Sequence, residues 1–585
     1  MNQKIKEETD KEIEVMAAER WMLQTKKADF YKIAEKYHIS PVTARIIRNR
    51  DVVGDEALEK YLHGTIEDLY SPHLMKDMDR TVEIIRRKAE EGKPVRIVGD
   101  YDIDGVCSTY ILYQGLKRIG AVVDYVIPDR VKDGYGMNES IVRNAAADGI
   151  DTILTCDNGI SAVSQIQTAI DLGMTVLVTD HHDIIQGDEG DVLPPAHAVV
   201  NPKQKTCSYP FPDICGGLVA YKLVEALYEA CQIPRQEWLD MLEFAAIATV
   251  GDVMQLKDEN RIIVKEGLKQ IANTKNLGLL KLIEKNNLDK NHISAYHIGF
   301  VLGPCLNAGG RLQTAQLALS LLLADNEGEA DFMAQKLKEL NDQRKDMTKK
   351  GVEEASAQVD ENYRQDKVLV VYLPTCHESL AGIIAGRLRE KYQKPAFVLT
   401  DGEESVKGSG RSIEAYHMFH ALTEVSHLLL KFGGHPMAAG LSLRKENVDE
   451  FRRQLNENAS LTQEDFVHKI WIDVPMPFEY ISQSLIEELE LLEPFGQGNE
   501  KPVFAQKGLH IRALKVLGKN RNAVKLSLVT DHGTPMDAMV FTDGDQFTYE
   551  LGEHRELDVI YYPTINEYNG SRNLQVIVQN YKISS

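Results

Sequence analysis

Three short apolar runs in this chain stop abruptly at clusters of acids and histidines, with helical sequence filling the spaces between them. Val95-Arg-Ile-Val98 runs into Gly99-Asp-Tyr-Asp-Ile-Asp-Gly105, Thr152-Ile-Leu-Thr-Cys156 into Asp157-Asn-Gly159, and Thr175-Val-Leu-Val-Thr179 into Asp180-His-His182. From about residue 75 to 260, β-branched runs alternate with helical stretches such as Arg80 to Glu90 and Ser108 to Ile119. That alternation predicts a parallel sheet with helices on both faces. Ligands of such sheets gather at the carboxyl ends of the strands, where all three motifs lie. If the first strand continues through its motif, Asp100, Asp102 and Asp104 are alternate residues that face one way, with Gly105 as the turn. Crowding of negative charge on that scale is costly unless cations neutralise it.

A further acid, Asp252, breaks the apolar run in Thr249-Val-Gly-Asp252. Asp102, Asp104, Asp157, His181 and Asp252 then form a mixed oxygen and nitrogen ligand set, which suits Mn²⁺ and admits Mg²⁺. One carboxylate bridging two ions ~3.5–4 Å apart would make a two-metal phosphoryl-transfer site. A lone Asp at a strand end is more often a cap or turn residue, and a lone histidine is more often structural. The joint pattern is what points to metal.

At 585 residues the chain is too long for one core, and three or four domains are expected. Its net charge of −21 argues against a general nucleic-acid-coating protein. A nuclease is compatible with that charge, because metal-ligand carboxylates inflate the acidic count. Seven cysteines without a CxxC pair suggest neither a zinc site nor a disulfide framework, and a reducing cytoplasm fits them. No apolar stretch approaches a membrane span, and the charged N-terminus lacks a secretion signal. The expected domains are a helical extension over 1–75, a catalytic α/β domain over 76–313, a connector helix over 314–361, a smaller α/β domain over 362–460 and an all-β, barrel-like module over 461–585. Within the last, Lys507, Arg512, Lys515, Lys519, Arg521 and Lys525 form a basic stretch with no acid among them. In Gly408-Ser-Gly-Arg-Ser412, glycines let the backbone approach a phosphate, while Ser409 and Arg411 offer a hydroxyl and a bidentate fork.

The three acidic motifs resemble those of the DHH phosphoesterase superfamily. Ala44-Arg-Ile-Ile-Arg-Asn-Arg50, Gly303-Pro-Cys-Leu-Asn-Ala-Gly-Gly-Arg311, Gly408–Ser412, Gly433-Gly-His-Pro-Met-Ala-Ala-Gly440 and Pro494-Phe-Gly-Gln-Gly-Asn499, in that order, resemble segments of its RecJ branch. The likeness spans nearly the whole chain. It implies a parallel-sheet DHH domain joined by a long helix to a smaller α/β DHH-associated domain, followed by a C-terminal OB-like barrel. The implied activity is a metal-dependent exonuclease that degrades single-stranded DNA 5′→3′ to mononucleotides in recombination and repair.

By the same resemblance Asp102, Asp104, Asp157, His181 and Asp252 are the metal ligands. Asp100 and His182 are neighbouring active-site groups, His182 as proton donor or as a contact to the scissile phosphate. Ser409 and Arg411, with Arg130 and Arg311, would hold a 5′-phosphate. Asn307 and His435 would contact the nucleotide and Tyr135 would stack on a base. The basic stretch of the barrel would track the strand, with Tyr561, Tyr562 or Tyr568 as stacking faces. The expected cofactors are two ions of Mn²⁺ or Mg²⁺. The expected partners are single-stranded DNA and a single-strand-binding protein or helicase, around a monomer with no membrane association.

Two positions depart from the family pattern. Val98 stands four places before Asp102, where the pyrophosphatase branch has a histidine, so the first ion would be held through Asp100 or water. Cys305 stands where many relatives have Arg or another larger residue. Two other readings are a short-oligonucleotide or cyclic-dinucleotide phosphodiesterase of the same superfamily, and an inactive DHH scaffold that binds nucleic acid. The barrel-like residues 468–585 count against the first, and the presence of the whole ligand set against the second.

Overall fold

The computed structural model describes residues 19–130, 136–188, 190–568 and 570–584. Tyr135, residues 1–16 and the side chain of Tyr568 lie outside the described residues. The chain divides into two compact units. The first holds residues 22–306, 318–331 and 471–585; the second holds 307–317 and 332–470 together with 19–21.

Five parallel strands organise the first unit: β1 (Val95–Val98), β2 (Val123–Val126), β3 (Thr152–Cys156), β4 (Thr175–Thr179) and β5 (Ala198–Val200). Their order is β2-β1-β3-β4-β5. β3 is buried along its whole length and β4 along all but its first residue, because helices cover both faces. That is why these runs are continuously apolar rather than alternating. The chain order reverses between β1 and β3, and a crevice opens at the carboxyl ends of strands at such a switch point. Helices α1 (Ile103–Arg118), α2 (Gly216–Ala230) and α3 (Leu242–Gly251) pack on one another beside the sheet.

The expected continuation of β1 through the acidic motif does not occur. The strand ends at Val98, and Asp102 caps α1 instead, its Oδ1 accepting from the amides of Asp104 at 2.9 Å and Gly105 at 3.1 Å. Free amides at a helix start reward a carboxylate more than an extended backbone does. Gly105 therefore lies in the first helical turn and is not the turn residue. A Cβ there would come within 2.5 Å of the Asp100 carbonyl oxygen, so glycine lets the loop fold back on the helix.

The stretch 314–361 contains two helices, Gln316–Leu322 and the 32-residue α4 (Glu327–Gln358), rather than one. The break falls before Asn326, whose Oδ1 accepts from the Glu329 amide at 2.9 Å. The second unit is built on a mixed sheet of β6 (Leu369–Tyr372), β7 (Ala396–Asp401), β8 (Val406–Arg411), β9 (Leu429–Gly434) and β10 (Ala438–Leu443). Its order is β9-β10-β8-β7-β6, with helix α5 (Glu378–Tyr392) packed against β7 and β8.

Residues 471–585 return to the first unit as a closed five-stranded barrel of β11 (Phe504–Leu517), β12 (Ala523–Val529), β13 (Pro535–Val540), β14 (Glu556–Tyr568) and β15 (Ser571–Ile583). Closure comes from β14 pairing back onto β11. The short helices Pro41–Asn49 and Asp55–His63 share the barrel's core, with Ile46, Ile47 and Leu58 in one apolar cluster with Phe478, Leu489 and Phe504. A buried polar network fastens the same seam. Arg50 donates to both carboxylate oxygens of Asp473 at 2.8 and 2.9 Å and to the Glu500 carbonyl at 2.9 Å. Arg261 donates to the carbonyls of Tyr61, Leu492 and Leu491, and Tyr61 donates to Asn499 at 2.8 Å. Of the family-like segments, Ala44–Arg50 thus joins the N-terminal helices to the barrel, and Pro494–Asn499 meets both Tyr61 of those helices and the Leu256 amide of the sheet domain.

Tyr561 and Tyr562 do not offer stacking faces. Tyr561 is fully buried against Phe478 and Phe504, and Tyr562 is buried beneath Lys501. Of the basic stretch, Arg521 is paired with Asp545 and Lys525 with Asp537, while Lys507, Arg512, Lys515 and Lys519 are exposed.

Candidate metal centre

Each sheet strand that carries a motif delivers its acid by a different local device. Beyond β3, Asp157 takes a left-handed backbone with φ of 59°, which Asp tolerates better than most residues. Asn158 follows and ties two strand ends together, donating to the carbonyls of Val98 at 3.0 Å and Cys156 at 2.8 Å. Beyond β4 come Asp180, His181 and His182. Asp252 arrives from the end of helix α3, as its C-cap rather than from a strand.

These devices converge on His181. Its Nε2 lies 3.0 Å from Asp157 Oδ1, 3.5 Å from Asp104 Oδ2 and 3.8 Å from Asp252 Oδ2. Asp104 is held in turn by the start of α2, whose Gly216 and Gly217 amides each donate to it at 2.7 Å. A helix N-terminus favours a carboxylate by its dipole as well as by these bonds. Both glycines are required, since a Cβ on Gly216 would meet Asp157 at 2.7 Å and one on Gly217 would meet Ala248 at 2.4 Å. Nothing in the isolated sequence Cys215-Gly216-Gly217 pointed to this role.

Asp180 is the residue that sequence reasoning missed. Its Oδ1 accepts from the amides of His181 and His182 and pairs with His182 Nδ1 at 2.8 Å, while Oδ2 accepts from the Ile160 amide at 2.9 Å. It orients both histidines without joining the ligand cluster. Its place inside the Asp180-His181-His182 motif was the available signal.

Burial and mutual repulsion disfavour the charged carboxylates. Burial, then the Asp102 charge, pushes Asp100 up to about 8. Burial, then the Asp104 and Asp102 charges, pushes Asp252 up to about 8. Asp157 is raised well above the usual range and Asp102 is raised, both for the same two reasons. Burial lowers His181, which favours the neutral imidazole. Burial also works against a charged His182, but its hydrogen bond to Asp180 and that residue's charge outweigh it and hold the group at about 9.

The donors fall into three groups whose ligand atoms lie within 4.8 Å of one another: Asp157 with His181 and His182; Asp104 with His181 and Asp252; Asp100 with Asp102 and Asp157. Asp100 Oδ1 and His181 Nδ1 are buried and have no hydrogen-bond partner among the described residues. Orphaned, charge-crowded oxygens beside a neutral imidazole fit hard divalent cations of the Mn²⁺ type. Val98 is buried at the end of β1, so Asp100 is the extra oxygen donor that the structure supplies near the first position.

Metal removal should therefore expose a pH dependence. Groups raised in the fold bind more protons folded than unfolded, so their stabilisation is lost as pH rises through the folded value. For Asp100, Asp252 and His182 the three effects share one sign and are lost toward pH about 8 to 9. Chelator-treated protein is expected to melt at a lower temperature at pH 8.5 than at pH 6.5. The rise in melting temperature on adding Mn²⁺ should grow over the same range, because ligands must release protons to bind. Differential scanning fluorimetry at both pH values measures this, and a metal effect independent of pH would contradict the cluster.

A second set of expected residues gathers in the other compact unit, at the first turn of α5. Arg311 donates to the Ser379 carbonyl at 2.9 Å. Arg411 donates to the Gly410 carbonyl at 2.7 Å and to Ser409 Oγ at 3.3 Å. Gly382 makes room for them: a Cβ there would lie 2.8 Å from Arg411 Nη2 and 2.9 Å from Ser409 Oγ. Strand β10 borders this group, with Ser409 opposite Gly440 and Arg411 opposite Ala438. His435 is exposed in the turn between β9 and β10, where Gly434, with φ of 150°, is needed for the turn itself. Asn307 has a buried Oδ1 with no hydrogen-bond partner among the described residues. In the first unit, Arg130 lies over the ring of Tyr101 in the metal loop, 4.8 Å from its centroid. Cys305 is fully buried, its Sγ 3.7 Å from Asn286 Oδ1, which is room for a small side chain.

Comparison with known proteins bears on all three segments. The model of the DHH family N-terminal domain matches residues 94–249, that of the DHHA1 domain 365–460 and that of the RecJ OB domain 472–580. The single-stranded-DNA-specific exonuclease RecJ of Bacillus subtilis strain 168 is 34% identical over 570 residues, covering 97% of this chain and 71% of that protein. The Escherichia coli K12 protein of the same name is 32% identical over 569 residues, covering 93% and 96%. The crystal structure of Thermus thermophilus RecJ in complex with Mn²⁺ superposes with a TM-score of 0.81 at 26% identity, covering 97% of this chain and 80% of that one. Its Mg²⁺ complex gives 0.77 at the same identity.

Proposed function

The chain belongs to the RecJ family, and from that membership we propose that it is a metal-dependent exonuclease that degrades single-stranded DNA 5′→3′ to mononucleotides, in recombination and repair. The observation that carries the reading is the convergence of Asp104, Asp157, His181 and Asp252. Asp104, His181 and Asp252 would hold one divalent ion and Asp100 and Asp102 a second, with Asp157 facing both sets. Bound there, such ions supply Lewis acidity toward the scissile phosphate and lower the pKa of the attacking water.

The protein's own groups do the rest. Asp180 fixes both histidines in place. His182, 42% exposed and held by Asp180, donates a proton to the 3′-oxygen that leaves the phosphorus. Arg130 beside the metal loop pairs with backbone phosphate. Ser409, Arg411 and Arg311 grip the terminal 5′-phosphate, with two guanidinium groups for its two charges. An anchor that needs a terminal phosphate makes the enzyme end-specific. The exposed lysines and arginine of the barrel follow the rest of the strand.

The test is an end-labelled assay with Mn²⁺ on single strands of both polarities and on duplex. Mononucleotides released from the 5′ end of single strands are expected; internal cuts, or equal attack on duplex, would reject the reading. Arg411→Ala should weaken the preference for 5′-phosphorylated over 5′-hydroxyl strands about tenfold or more, the scale of one charge-assisted pair. Equal loss on both substrates would contradict the grip.

A further inference from the structure

Val253 follows Asp252 and has a φ of 58°. It stands where helix α3 closes left-handed: the Met254 amide donates to the Thr249 carbonyl at 3.1 Å and the Val253 amide to the Val250 carbonyl at 3.2 Å. Glycine takes this position at low cost, and a β-branched residue is strained there. Ten non-glycine residues among those described have positive φ, and Val253 alone is β-branched. Packing offers no compensation, because the residue is 66% exposed. Neither backbone preference nor burial accounts for valine at this place. Strain of this kind persists where a site requires it, and Asp157, in the same cluster, is also left-handed.

The segment around Val253 is held at both ends. Gly251 lies against Ile103 at the start of α1, where a Cβ would come within 2.5 Å. The Leu256 amide donates to the Gln497 carbonyl of the barrel at 2.7 Å. Val253 is the immediate chain neighbour of Asp252, whose carboxylate lies 3.8 Å from His181 Nε2. The result is a solvent-facing apolar residue on a backbone held at both ends, next in the chain to a member of the cluster.

We propose that Val253 is a substrate-positioning contact, its isopropyl group packing on the deoxyribose that flanks the scissile phosphate. The proposal rests on the nuclease reading above. Sugar carbons present the same apolar face whatever the base, which suits an enzyme that must accept each nucleotide in turn.

The experiment compares the unmodified protein with Val253→Gly and Val253→Ile. Val253→Gly is expected to melt about 2 °C higher, because the strain is relieved, yet to raise KM for single-stranded DNA about tenfold. Its Mn²⁺ activation midpoint should not move, and Val253→Ile should keep the original KM. Unchanged KM and kcat in Val253→Gly would overturn the proposal, leaving only a strained helix end. A shifted Mn²⁺ midpoint would also overturn it, because the residue would then act through Asp252. Failure of the unmodified protein to cleave single strands would overturn the reading above and this proposal with it.

Discussion

Asp157→Asn is expected to lower cleavage of single-stranded DNA by at least about 10³-fold while leaving DNA binding largely intact. Loss of an outer partner of a metal ligand costs roughly 10–100-fold, and Asp157 belongs to two of the three ligand groups, so its loss should exceed that. Asn keeps the shape and tolerates the left-handed backbone, with φ of 59°, so the fold is not asked to change. Asp157→Ala removes the same charge and should be equally inactive. Metal-free Asp157→Asn should also melt higher than the unmodified protein, because one buried carboxylate leaves a cluster whose pKa values are already raised by burial and repulsion. Lost activity with raised metal-free stability separates a missing ligand from a damaged fold. Near-normal cleavage with Mn²⁺ would remove Asp157 from the site.

Asp473→Ala is expected to destabilise the first unit by about 3–5 kcal/mol, the usual consequence of leaving a buried charge without its partner. The Arg50 side chain is 7% exposed and the Asp473 side chain 3%. Asp473 also accepts from Asn49 at 3.0 Å and from the Val503 amide at 3.0 Å, so several donors are orphaned together. Urea unfolding followed by tryptophan fluorescence should show an earlier transition. Arg50→Met combined with Asp473→Leu should recover much of the loss, because an apolar pair of similar volume leaves no buried charge. If Asp473→Ala unfolds like the unmodified protein, the pair is not what fastens the N-terminal helices to the barrel.

The sheet domain was legible because its strands are buried on both faces and therefore spell out as continuous apolar runs. The candidate ligands stood out because acids that interrupt such runs have few other reasons to be there. The geometry of the first motif was not. Alternation along a strand and capping of a helix both bring Asp100, Asp102 and Asp104 close together, and the free amides at the start of α1 decide for the cap. The strand β11 was also hidden, since Lys507, Arg512 and Lys515 lie on exposed positions of a run whose buried members include Phe504 and Leu509. Tyr561 and Tyr562 were misread for a related reason. Adjacent strand residues face opposite ways, and both are covered here: Tyr561 by Phe478 and Phe504, Tyr562 by Phe495 and Lys501.

Local sequence was sufficient to specify the parallel sheet, the chemical nature of the ligands and the kind of metal they suit, because hydrophobic period and side-chain chemistry are properties of neighbouring residues. Distant partners decided how those candidate ligands are held together. The amides of Gly216 and Gly217 that hold Asp104 lie 112 and 113 positions away from it. Arg50 finds Asp473 across 423 positions. Such pairings depend on how helices and strands close against one another, and hydrogen-bond direction and excluded volume fix that only once the chain has folded.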